Sequence, residues 1–267
     1  MNRTDSRVYM RKDTKAKRQI DRGVVSRVRK VASLAEGDNG QLPQSLTRYL
    51  SDRSPRVRSE ALDVVREKQL REMGANVLNL LTDKSRSVRY SAVECLGVLH
   101  QDEAAKASWL YPLLRDPFPL VRIGTLESLT QIGDRAALPL IVKRLQDDDS
   151  LVRAYAATSI AELRGQEFVT AIERASKRET DENARVGFAS ALFTLGDAGQ
   201  FSVLLESLMS ADYHVRCSSA NALSVADLTR AQLEAALEAI AHAARHALAV
   251  ADRSTMQRVE KELRERQ

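Results

Sequence analysis

One feature limits what this chain can become more than any other: a repeat. A Val-Arg pair recurs at Val57-Arg58, Val88-Arg89, Val121-Arg122, Val152-Arg153 and Val215-Arg216, and Ala184-Arg185 fills the remaining place. Successive intervals are 31, 33, 31, 32 and 31 residues. Five residues before each pair stand Asp52, Asp83, Asp116, Asp147, Glu179 and finally Ser210. Four residues after its first member come Ala61, Ala92, Thr125, Ala156, Phe188 and Ser219, of which only Phe188 is large. Eight after come Val65, Leu96, Leu129, Ile160, Leu192 and Leu223. A period of this length means that one supersecondary unit is copied, and that the copies bury their apolar faces on one another.

The offsets 0, +4, +8 and +11 form one stripe of an α-helix, here named helix B. Upstream of each acidic position lies a second amphipathic stretch, helix A: LPQSLTRYL, NVLNLL, WLYPLL, ALPLIVKRL, FVTAIERA and FSVLLESLM. Asp, Ser and Asn at the A–B junctions suit N-caps for helix B. Gly133-Asp134 and Gly196-Asp197 suit left-handed C-caps that turn the chain. Composition agrees, because 4% aromatics, 11 Gly and 6 Pro leave little room for the turns of an all-β fold. No run approaches the roughly 18 apolar residues of a membrane span, so no membrane role is expected. The first residues, MNRTDSRVYMRKDTKAKRQ, lack the apolar centre of a secretory signal. Two cysteines, Cys95 and Cys217, give no disulfide framework, which fits a reducing, cytoplasmic setting.

The unit ALPLIVKRLQDDDSLVRAYAATSIAEL, residues 137–163, resembles a HEAT repeat of the short bacterial, bilin-lyase type. The A-L-P-L opening, the Asp between helices and V-R-x-x-A-x-x-x-L carry the resemblance. It implies an all-α, right-handed α-solenoid of about six HEAT-like hairpins with terminal capping helices. The expected organisation is a basic N-terminal segment over 1–39, itself a degenerate capping repeat, six repeats over 40–227, and a C-terminal capping helix with a charged tail over 228–267. Such repeats occur in scaffolds, bilin lyases, DNA glycosylases and hydroxylases, so the resemblance is specific for fold and nearly silent on activity.

The recurring acid and arginine read as a structural ladder of Asp52, Arg58, Asp83, Arg89, Asp116, Arg122, Asp147 and Arg153. Each acid bonds an Arg of its own or the neighbouring hairpin, since planar, charge-assisted pairing suits Arg to stapling loops. Where Ser210 replaces the acid, Arg216 becomes the ladder cation free for a ligand, unless Asp212 takes it. On the helical wheel the face opposite the stripe carries +2, +6 and +9. Position +6 reads Asp63, Glu94, Glu127, Thr158, Ser190 and Asn221, acidic in the first three hairpins and neutral in the last three. Positions +2 and +9 include Ala154, Ala161, Val186, Phe193, Cys217 and Ser224. In the resembling solenoids helix B lines the concave surface, which implies a partner groove of Asp63, Glu94, Glu127, Thr158, Ser190, Phe193, Asn221 and Arg216. The alternative is that neighbouring helices or the chain's own tail cover +2 and +9.

No constellation calls for chemistry. His242, His246 and Glu238 share one face of an Ala-rich helix, but a metal site normally draws on more than one element and no HExxH is present. Trp109 sits on a helix A and reads as core filling, not as part of an aromatic glycosylase site. The His-Glu pairs of the resembling deoxyhypusine hydroxylases are absent, as are P-loop and GxGxxG patterns. The expected function is therefore non-enzymatic, without cofactor or small-molecule ligand: a scaffold, adaptor or regulator that holds another protein. Charge supplies a second partner class. Residues 1–30 hold eleven Lys and Arg against three Asp, a net of +8, which leaves 5 − 8 = −3 for the rest. Such a leader attracts nucleic acid, or it is a solvated helix. The third class is a HEAT-like enzyme, bilin lyase-like or DNA glycosylase-like.

Overall fold

The computed structural model describes residues 22–36, 42–101, 104–246 and 250–266. Every regular element among them is helical, and the chain divides into an N-terminal body, Met1–Leu99, and a C-terminal body, His100–Gln267. In the N-terminal body, α1 (Arg22–Leu34) precedes a first hairpin of α2 (Leu42–Leu50) and α3 (Pro55–Glu67). A second hairpin joins α4 (Gly74–Leu78) to α5 (Arg86–Leu99). In the C-terminal body a 3₁₀ helix, Ala104–Arg115, leads into α6 (Pro119–Ile132). Three more hairpins follow: α7 (Leu138–Ile141) with α8 (Ser150–Glu162), α9 (Val169–Ser176) with α10 (Glu182–Thr194), and α11 (Gln200–Ser207) with α12 (Tyr213–Val225). The chain closes with α13 (Arg230–His246) and α14 (Val250–Arg264). The single C-terminal capping helix expected from sequence is thus a pair.

The B helices, α3, α5, α6, α8, α10 and α12, are regular over 13 or 14 residues. Their starts are fixed locally. Asp149, Asp181 and Asp212 accept backbone N–H groups of the first turn, while Pro55 and Pro119 sit where a missing N–H costs nothing. The A helices are less regular. Pro112 lies inside the third, which is 3₁₀ throughout, and Pro139 inside a fourth that is α only over Leu138–Ile141. Proline removes a donor and crowds the preceding turn, so these segments tighten. One position, twelve residues after the Val or Ala, takes the left-handed backbone at Gly133 (φ 77) and Gly196 (φ 107), and also at Gln69 (φ 50) and Arg164 (φ 55).

Burial follows the stripe. Val57, Val65, Val88, Leu96, Leu129, Val152 and Ile160 are fully or almost fully enclosed. Within the C-terminal body one continuous apolar cluster runs from Val186 and Ala189 of α10 through Leu204, Val215 and Leu223 to Leu237, Met256 and Leu263. The last two helices therefore share the interior of the hairpins before them, as another hairpin would. Phe188, the exception at +4, is fully buried. Beside it Gly187 lets α10 approach α8 so closely that a Cβ there would meet the Ala154 Cβ at 2.7 Å.

Candidate functional site

The ladder residues come together in one repeated geometry. Each arginine donates one nitrogen to the backbone carbonyl of its own hairpin's acid: Arg58 to Asp52 at 2.6 Å, Arg89 to Asp83 at 2.7 Å, Arg122 to Asp116 at 2.8 Å, Arg153 to Asp147 at 2.9 Å. In three of them the rest of the fork reaches the acid of the following hairpin. Arg58 meets Asp83 at 2.7 Å, Arg122 meets Asp147 at 2.5 Å, and Arg153 meets Glu179 through two bonds of 2.6 and 2.8 Å. Each carboxylate also accepts the backbone N–H two residues on, at Ser54, Ser85, Phe118, Asp149 and Asp181. One guanidinium thereby ties two loops, and the pairs set the register between hairpins. The array extends upstream, because Arg27 of α1 bonds Asp52 at 2.9 Å. A further Val-Arg pair stands in α1 at Val28-Arg29, but the cation that bonds Asp52 is Arg27.

Downstream, Arg216 is not the free cation expected from sequence. It pairs with Asp252 of α14, whose side chain is fully buried, with Nε 3.2 Å from the nearer oxygen, and it also donates to the Ser210 carbonyl. The closing helix supplies the acid that the period omits. Among the described residues Arg185 is a repeat arginine without a carboxylate. It is exposed, and it donates Nε to the Glu179 carbonyl at 3.0 Å where the next hairpin offers Ser210.

The apolar part of the expected groove also needs correction. Ala154, Ala161 and Val186 are buried, because helix B of one hairpin packs on helix B of the next, as α8 does on α10. Phe193 stacks on Phe201 of α11 with centroids 5.9 Å apart. Asn221 accepts a 2.6 Å bond from Arg258 of α14. Of the proposed lining in the C-terminal body, Glu127, Thr158 and Ser190 reach the surface, with Tyr155 37% exposed beside them. Burial and the Glu127 charge raise the Tyr155 phenol above its ordinary pKa.

The polar face of the N-terminal body is acidic. Glu60 and Asp63 project from α3 and Glu94 from α5, all partly exposed. Arg66 serves two of them, 3.3 Å from Asp63 and 3.7 Å from Glu94, and the Tyr90 hydroxyl donates to Glu94 at 2.9 Å. With Arg56 acting on Glu60, two guanidiniums stand among these three carboxylates. Asp63 is raised above the usual carboxylate range, by partial burial first and by Glu94 against the opposing pull of Arg66. Glu60 is raised by burial and then by Asp63, against the opposing pull of Arg56. Burial also pushes the neighbouring Cys95 thiol up to about 12, which keeps it an unreactive thiol.

Other sequence candidates are placed apart from this face. His242 and Glu238 are exposed on α13, and the His246 side chain lies outside the described residues. Among the described residues no three His, Cys, Asp or Glu side chains gather as metal ligands. Trp109 is half-buried, edge-on to His100 at 4.8 Å, and so is not a core plug. No helix among the described residues is long and apolar enough to cross a membrane. Of the basic leader, residues 1–21 lie outside the described residues, and Arg27 belongs to the ladder.

These hairpins match known repeats. A HEAT-repeat profile covers residues 107–192 and a second covers residues 75–102. Over these residues the chain carries HEAT repeats. No curated protein matches it in sequence. Among solved structures it is similar to a chain of the complex of CpcE and CpcF, the phycocyanin lyase of Nostoc sp. PCC7120. That match has a TM-score of 0.58 and 16% identity, over 85% of this chain and 97% of that one. Human deoxyhypusine hydroxylase, determined with glycerol, aligns at a TM-score of 0.39 and 17% identity over 91% and 99% of the two chains. An engineered protein aligns at 0.42 and 20% over 89% and 74%. The first likeness supports an α-solenoid.

Proposed function

We propose that this HEAT-repeat chain is a non-enzymatic, cytoplasmic scaffold that binds a cationic segment of another protein on the helix-B face of its N-terminal body. The observation that carries the reading is the cluster of Glu60, Asp63 and Glu94, which meets Arg66 and, at Glu60, Arg56. Three partly exposed carboxylates against these two guanidiniums leave the cluster with an excess of acid. A lysine or arginine from a partner relieves it, and complementary charge governs encounter and selectivity more than raw affinity. HEAT repeats present extended faces that suit a helix or peptide laid along them. A polyanion is repelled by the same carboxylates.

The test uses a fluorescein-labelled amphipathic peptide of Leu and Lys against the intact chain. Binding that weakens with salt and falls about tenfold in Asp63→Lys/Glu94→Lys supports the reading, a size expected from two partly exposed ion pairs. Equal affinity in the variant removes this face. Nucleic-acid binding is separated by deleting residues 1–21 and titrating duplex DNA at several salt concentrations. The deletion stops there because Arg27 and Val31 are part of the fold.

A further inference from the structure

A cleft of about 270 Å³ opens in the C-terminal body between the 3₁₀ turn Val142–Gln146 and α9, on the helix-A side of the hairpins. Val142, Leu145, Ala171 and Ala175 give it an apolar floor. Its two carboxylates, Asp147 and Glu179, are already held by Arg122 and by Arg153. Arg174 and Arg178 also line it. Both are exposed, Arg174 in the last turn of α9 and Arg178 in the turn that follows it. Among the described residues neither side chain has a hydrogen-bond or ion-pair partner. Arg185 adds a third cation without a carboxylate, bonded to the carbonyl of Glu179, whose carboxylate lines the cleft.

We propose that this cleft docks an acidic peptide segment of a protein partner, with carboxylates on Arg174 and Arg178 and an apolar side chain on the Val142–Ala171 floor. The fold itself shows the chemistry, because Arg58, Arg122, Arg153 and Arg216 each hold a carboxylate in this way. The volume is that of one or two side chains, below the roughly 300 Å³ at which small-molecule pockets begin. An extended segment fits such a cleft, whereas a cofactor does not. The site is independent of the acidic face of the N-terminal body and takes a partner of opposite charge.

The experiment is fluorescence anisotropy with a fluorescein-labelled peptide of alternating Leu and Glu, titrated with the intact chain. Saturable binding is expected, with affinity about tenfold weaker in Arg174→Glu/Arg178→Glu. A peptide of alternating Leu and Gln should bind far less. The Leu and Lys probe of the other face should be unaffected by the double reversal, which keeps failure of either site distinguishable. Unchanged affinity in the double variant, or equal binding of the Gln peptide, overturns the proposal. Displacement by inorganic phosphate well below the concentration at which acetate displaces reassigns the cleft to phosphoanions and also overturns it. Should the double reversal fail to fold, Ala171→Phe fills the floor without altering charge. Loss of binding there supports the site, and unchanged binding refutes it.

Discussion

Replacing Arg153 by Met removes the cation bonded to Glu179 while keeping most of the aliphatic stem. The Glu179 side chain is 2% exposed and receives two bonds from Arg153, plus backbone N–H bonds from Thr180 and Asp181. Breaking a buried pair by deleting one partner costs about 3–5 kcal/mol, because the remaining charge is stranded. The two backbone donors persist, so the low end, about 3 kcal/mol, is expected. With a slope of about 2 kcal/mol/M, the urea midpoint falls by about 1.5 M. The only tryptophan, Trp109, lies in the same body and reports the transition by fluorescence. The Arg153 hydrogen bonds hold the Glu179 carboxyl below its usual range. In the native protein its contribution is therefore present above the unfolded pKa and lost as pH falls through the folded value. Without Arg153, burial raises that pKa instead. The gap between the two proteins is then widest at neutral pH and narrows in acid. Arg153→Met/Glu179→Gln keeps the acceptor for both backbone donors and should recover more than half of the loss. A variant within about 1 kcal/mol of the parent at pH 7, with no pH dependence in the difference, would refute a stapling role for the ladder.

Other expectations follow from single close contacts. Gly187→Ala forces a methyl onto the Ala154 Cβ and should cost about 1–3 kcal/mol by thermal melt, with Ala154→Gly restoring part of it. Arg164→Gly and Gln69→Gly relieve a left-handed backbone and should each gain about 0.5–1 kcal/mol in urea, whereas Gly133→Ala should lose about as much. Asp252→Ala strands Arg216 and should cost about 2–4 kcal/mol, read by the same Trp109 transition.

Much of this architecture was legible in the chain itself, because a period of 31–33 residues leaves few alternatives to stacked hairpins. The acid and the arginine that form the ladder were visible for the same reason. Which acid each arginine reaches was not visible. Own-hairpin and next-hairpin pairing have the same spacing pattern, and only stacking places Asp83 beside Arg58. Asp252 lies 36 residues beyond Arg216, outside the period, since the closing hairpin starts with a longer helix A. The wheel failed at Ala154, Ala161 and Val186 for a geometric reason. The groove reading allowed each helix B a single neighbour, whereas its alternative holds at these positions: B helices also touch one another, and that contact buries a second stripe. Phe193 and Asn221 were lost to the groove because Phe201 and Arg258 meet them from later in the chain. The 3₁₀ segments were foreshadowed by Pro112 and Pro139. The unpaired Arg185 was readable from Ser210, one rung earlier than the cation the sequence singled out.

The claim on which the functional account rests is that the carboxylate face formed by α3 and α5 is where a cationic partner lies. Amide chemical-shift mapping of the ¹⁵N-labelled intact chain, titrated with the Leu and Lys peptide, reads this directly. The account predicts saturable shifts centred on Glu60, Asp63 and Glu94 and absent in Asp63→Lys/Glu94→Lys. Shifts confined to the C-terminal body, or an unperturbed spectrum at saturating peptide, would contradict it.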